Sequence, residues 1–203
     1  MRARALTGML ATATATLVLA GCGGDNTAGN TSPGGPQPPS SVQQQAQDHN
    51  QADISFAQEM IPHHAQAIQM AQLAPDRAQS PQVKDLASRV EQAQGPEIET
   101  MTGWLRAWNA EVPPTGESGG AHGGGMGTGG MDHQQMQQLE QATGPEFDRL
   151  FLQMMIKHHE GAIETARTEL DNGQNPEAKQ LAQQIIDAQQ AEIEEMSALL
   201  PQG

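Results

Sequence analysis

The chain has 203 residues and carries 24 acidic against 10 basic side chains, a formal net charge of −14. That balance excludes nucleic acid and an anionic lipid surface as electrostatic partners. Aromatic residues make up only 2% of the sequence and Tyr is absent, so a strand-rich core is not expected. Cys22 is the single cysteine, which rules out an internal disulfide and a thiolate metal cage, whereas there are 11 methionines.

Residues 1–21 read as a leader: Arg2 and Arg4 precede an apolar Ala/Thr/Leu stretch that ends in Leu19-Ala20-Gly21-Cys22. This tetrapeptide resembles a bacterial lipobox. The resemblance implies that Cys22 becomes the lipidated first residue of an exported protein, anchored on the outer side of the cytoplasmic membrane in the cell envelope. A membrane span is the competing reading, but the run is shorter than the roughly 20 residues a span needs and is broken by Gly8. Loss of the leader removes two basic and no acidic residues, taking the formal charge from −14 to −16. Residues 22–47 are rich in Gly, Pro, Ser, Asn and Gln, too polar to repay the entropy of ordering, and read as a flexible tether.

The remainder, 48–203, is an internal duplication at a constant offset of 95 residues. Asp53, Phe56, Met60, Ile61, His63 and His64 lie over Asp148, Phe151, Met155, Ile156, His158 and His159. The register continues without a slip: Pro81 lies over Pro176, Leu86 over Leu181, Gln94 over Gln189, Glu97 over Glu192, Met101 over Met196 and Leu105 over Leu200. Apolar positions recur at three and four within each copy, which predicts a helical hairpin. The predicted turns are Pro75 to Pro81 and Asp171 to Pro176. Neither hairpin can bury its stripe alone, so the expected fold is an all-α four-helix bundle built from two duplicated hairpins, with repeat 1 at about 48–109 and repeat 2 at about 136–203. Residues 110–135 are expected to form a Gly-rich loop carrying His122, Met126, Met131 and His133, with Met136 just beyond it.

On a helix, residues three and four apart share a face, so Met60 lies with His63 and His64, and Met155 with His158 and His159. Imidazole suits copper, zinc, iron and nickel, while thioether selects Cu(I) and similar soft ions. The mixture favours copper, with silver as its mimic. Single methionines at helical spacing are usually core, and a His pair is often a surface accident. Here the same triplet occurs twice at equivalent positions, and buried imidazoles need partners. Di-iron chemistry is disfavoured because no Glu-x-x-His occurs. Glu97 and Glu192 are expected to be helix-edge residues bonded to a neighbouring side chain. His-Glu-x-x-His is also missing, which removes a zinc peptidase of that type.

The pattern Phe-x-x-x-Met-Ile-x-His-His, at Phe56 to His64 and again at Phe151 to His159, followed by Glu160-Gly161-Ala162-Ile163, is similar to the bacterial domain of unknown function 305 family, which includes periplasmic copper-binding proteins. The similarity spans roughly Asp48 to Leu200. It implies a ferritin-like four-helix bundle and Cu(I)/Cu(II) binding linked to copper tolerance. The implied ligands are Met60, His63, His64, Met155, His158 and His159, with Met154 and the loop's Met131, His133 and Met136 as further candidates.

Three functions compete. The first is a copper-binding lipoprotein that buffers, stores or relays copper with donor or acceptor proteins, without catalysis. The second is a copper oxidase or reductase, which rests only on the redox activity of bound copper, since no general base, nucleophile or cofactor motif stands out. The third is a structural or pH-responsive helical interaction module in which clustered imidazoles repel when protonated. Whether the motifs form one shared site or two, and whether bundles pair through metal as a homodimer, is left open by the sequence.

Overall fold

The computed structural model describes residues 48–115 and 129–200. The leader, Cys22, the tether, His122 and Met126 lie outside the described residues. Four long helices carry the fold: α1 (Gln51–Arg77), α2 (Pro81–Ala107), α4 (Gly144–Asn172) and α5 (Pro176–Leu199), with a short α3 (His133–Gln141) before the second hairpin. Among the described residues there is no strand, only an isolated bridge between Ala78 and Gly144. Helices α1 and α2 pack as one hairpin and α4 and α5 as the other, joined principally through α1 against α4.

Helices α1, α2, α3 and α5 start where the sequence supplies a side-chain cap, whereas Thr143 before α4 makes no such bond. The Asn50 side chain accepts the Ala52 and Asp53 N–H groups, while Asp53 accepts the Asn50 N–H at 2.6 Å, closing a capping box on α1. Ser80 and Asn175 cap α2 and α5, each followed by a proline at the first helical position, where its missing N–H does no harm. The turns are tighter than expected. Helix α1 runs through Pro62 and Pro75 to Arg77, so the first turn is only residues 78–80, and α4 extends to Asn172, leaving 173–175 as the second. Packing of Ala71 and Ala74 into the core holds this last turn of α1 despite Pro75. The end of the expected loop is likewise helical, because Asp132 and Gln135 form a second capping box for α3.

The two hairpins exchange caps. Asp53, in the first turn of α1, accepts the N–H groups of Gln174 at 3.1 Å and Asn175 at 2.8 Å in the turn of the other hairpin. Asp148, its counterpart under the duplication, accepts those of Gln79 at 3.1 Å and Ser80 at 2.9 Å. One aspartate per repeat thus satisfies backbone donors that the turn itself leaves orphaned.

The apolar core falls into two clusters. One joins the second half of α1 and the first half of α2 (Met70, Val83, Leu86, Val90) to Phe147, Phe151 and Met155 of α4 and Met196 of α5. The other joins Phe56, Met60, Met101 and Leu105 to Ala162, Ile163, Leu181 and Ile185. Shifting by 95 residues turns Leu86 into Leu181 and Met60 into Met155, so the duplication exchanges the two clusters. Between them, at the middle of the helices, lies a polar waist.

Candidate metal centre

The waist holds His63 and His64 from α1 and His158 and His159 from α4, with relative exposures of 5%, 0%, 1% and 0%. Gln94 of α2 and Gln189 of α5 are each 3% exposed at equivalent positions. Imidazoles are seldom buried this completely, and placing four in one layer between two apolar clusters costs free energy unless each finds a partner.

Two of the four are partnered by carboxylates. The Nε2 atoms of His64 and His159 lie 2.7 Å from Oε2 of Glu97 and Glu192, respectively. Glu97 stands 33 residues after His64, as Glu192 does after His159, so the second helix of each hairpin orients a histidine of the first. With Nε2–H donated to the carboxylate, Nδ1 carries the lone pair. Both Nδ1 atoms are buried and make no hydrogen bond. A carboxylate behind a histidine is the arrangement that fixes tautomer and ring orientation at metal sites and raises ligand basicity.

The other two meet ring to ring. The centroids of His63 and His158 are 3.7 Å apart at an interplanar angle of 37°, across the junction of α1 and α4. Neither ring nitrogen of His158 has a hydrogen-bond partner. Burial, and then the proximity of His63, His159 and His64, hold His158 well below the usual histidine range, so it is neutral at physiological pH and available as a donor.

These residues fit a borderline or soft metal ion: the Nδ1 atoms of His64 and His159 and both ring nitrogens of His158 are buried with no hydrogen-bond partner. Among the described residues no three His, Cys, Asp or Glu side chains converge as a ready-made ligand set. Any ion held at the waist therefore draws on thioethers or on rotation of the rings. Met60 and Met155, both 0% exposed, sit in opposite apolar clusters and flank the histidine layer from its two sides. Met101 and Met196 follow the same division.

The remaining sequence candidates are placed unevenly. Met131 is buried and held by Gln66, whose amide donates to the Met131 carbonyl at 2.9 Å while its Oε1 accepts the Met131 N–H at 2.7 Å. Nearby, a Cβ on Gly129 would lie 2.8 Å from the Gly161 Cα, so only glycine lets this segment cross α4 so closely. Met136 and Met154 pack half-buried against the cluster that contains Met155. His133 does not enter the waist: it is exposed at the first residue of α3, and its ring bonds Gln137 at 2.9 Å. The waist also contains groups the motif did not disclose, namely Glu97, Glu192, Gln94 and Gln189. Each of them coincides with its partner under the 95-residue offset, and that coincidence was the available signal.

The architecture and waist define a duplicated four-helix bundle with a buried His/Met layer. The chain belongs to the DUF305 family, a domain of unknown function whose profile matches residues 53–200. A DUF305 protein of Streptomyces coelicolor, described as secreted, is 29% identical over 73% of this chain and 91% of that one, with a TM-score of 0.64. CopM in its Cu(II)-bound form is 37% identical over 72% of this chain and 93% of that one, with a TM-score of 0.62. CopM in its Cu(I)-bound form is 34% identical over the same shares, with a TM-score of 0.60, and an Ag-bound form is also similar. Among curated proteins none is significantly similar to the chain.

Proposed function

We propose that the protein binds copper at its waist, through imidazole nitrogens of His63, His64, His158 and His159 and thioethers of Met60 and Met155, and that it buffers, stores or relays the ion without catalysis. The observation that carries this reading is the buried His158 ring with two unbonded nitrogens, beside two histidines whose Nδ1 lone pairs are set by Glu97 and Glu192. The Cu(I)-, Cu(II)- and Ag-bound forms of the similar CopM support the choice of metal. Met131, Met136 and Met154 are secondary thioether candidates beside Met155, and His133 is an outer candidate only.

The same reading places the protein outside the cytoplasm, tethered through lipid on Cys22, exchanging copper with donor or acceptor proteins and contributing to copper tolerance. Among the described residues no helix is long and apolar enough to cross a membrane. Equilibrium dialysis against Cu(I) tests the binding claim. The native chain is expected to retain copper that a variant with all four waist histidines changed to Ala releases, and equal retention by both would overturn the proposal.

A further inference from the structure

We propose that Glu169 and Asp53 share a proton and form a pH-operated latch that holds the α4–α5 turn against the start of α1, independently of the waist. Asp53 is fully buried, and its carboxylate is already occupied by the N–H groups of Asn50, Gln174 and Asn175. Burial raises its proton affinity, but the bonds from Asn50, Asn175, Glu169 and Gln174 outweigh burial and hold it below the usual carboxylate range.

Glu169 is 1% exposed, and neither carboxyl oxygen receives an N–H or ammonium donor. Asp53 is the carboxyl group beside it, and burial together with that neighbour raises the proton affinity of Glu169. Two carboxyl groups facing one another out of water cannot both ionise without strong repulsion, so the contact requires a proton between them. Glu169, lacking other donors, is the group that carries it. The other charged groups about this joint are Lys179 of α5, whose Nζ donates to the Gly173 carbonyl at 3.2 Å and which favours ionisation, and Glu59 of α1 and Glu164 of α4 along the adjoining groove.

The duplication shows that Glu169 is an addition and not a requirement of the joint. Its counterpart is Ala74, and the residue four positions on is Gly173 in the second copy but Ala78 in the first. A Cβ at Gly173 would collide with the Glu169 carboxyl. The acid and the glycine that makes room for it therefore depart from the repeat together. At the equivalent joint, where Ala74 stands in place of the glutamate, Asp148 holds Gln79 and Ser80.

Burial, followed by the Asp53 contact, pushes Glu169 up to about 8. The latch is closed at neutral pH. As the pH rises through that value the proton leaves to solvent, two carboxylates face each other, and the 173–175 turn loses its hold while the 78–80 turn keeps its own. The experiment follows the Glu169 side-chain carboxyl carbon and the amide groups of Gln174, Asn175, Gln79 and Ser80 by NMR from pH 3 to pH 10. Glu169, Gln174 and Asn175 are expected to titrate together near pH 8, with Gln79 and Ser80 flat across that step. Glu169→Gln should abolish the step. So should the paired Glu169→Ala, Gly173→Ala variant, which copies the first hairpin. Titration of Glu169 below pH 5, amides of Gln174 and Asn175 that ignore the step, or survival of the step in both variants would overturn the proposal.

Discussion

The residues on which the waist turns are two partly exposed glutamates. Glu97 and Glu192 hold His64 and His159 through Nε2, and a group behind a metal-binding histidine typically changes affinity by about 10–100-fold when removed. Replacing both with Gln is therefore expected to weaken copper binding by about that factor, with the helical circular dichroism unchanged. A competition titration against a Cu(I) chelator reads it, and an unaltered affinity would assign the carboxylates a purely structural part. His158 makes a second prediction. Its proton affinity is lowered in the folded state by burial and by its three histidine neighbours, so the unfolded chain takes up the proton first. Metal-free protein should thus lose stability as the pH falls below about 6.5, the ordinary histidine value, and keep losing it until the folded-state value is reached. Urea midpoints measured between pH 7.5 and 5 should show this slope, and it should shrink in His158→Gln.

At the scale of the helix, Pro62 and the exchanged caps are the informative features. Pro62 lies inside α1, where it cannot donate to the Gln58 carbonyl, whereas the second copy has Lys157 at that position. A proline within a helix costs up to about 3 kcal/mol relative to an ordinary residue. Pro62→Lys is accordingly expected to raise the denaturation midpoint by a fraction of that figure, and an unchanged or lowered midpoint would show that α1 is already adapted to the kink. The helices themselves were legible from apolar spacing and from the breaker clusters between them. Their ends at Pro75 and Asp171 were not, because the spacing of breakers cannot show that Ala74 and Glu169 are buried in the packed bundle. Nor could local pattern show that Asp53 and Asp148 cap the opposite hairpin. The offset marked the two aspartates as equivalent, but their partners are more than 65 residues away and are brought near only by folding.

At the scale of the molecule, the duplication builds two apolar clusters that exchange under the repeat and leaves the polar residues between them. The pairing of motifs was readable from the sequence, since Met60, His63 and His64 recur at Met155, His158 and His159. What the sequence left open, one site or two, has a structural form: the histidines make a single layer through the His63–His158 contact, while the thioethers approach from opposite clusters. A ligand confined to the native state must stabilise it, by about 2.7 kcal/mol at 100 times its dissociation constant. Copper is therefore expected to raise the unfolding midpoint of the native chain and not that of a four-histidine Ala variant, as thermal melts with and without metal would read. The most direct test of a waist-bound ion is X-ray absorption on the Cu(I)-loaded protein. Imidazole nitrogen together with thioether sulfur around copper is the predicted result. A shell made only of oxygen, as carboxylates on this acidic surface would supply, would contradict it.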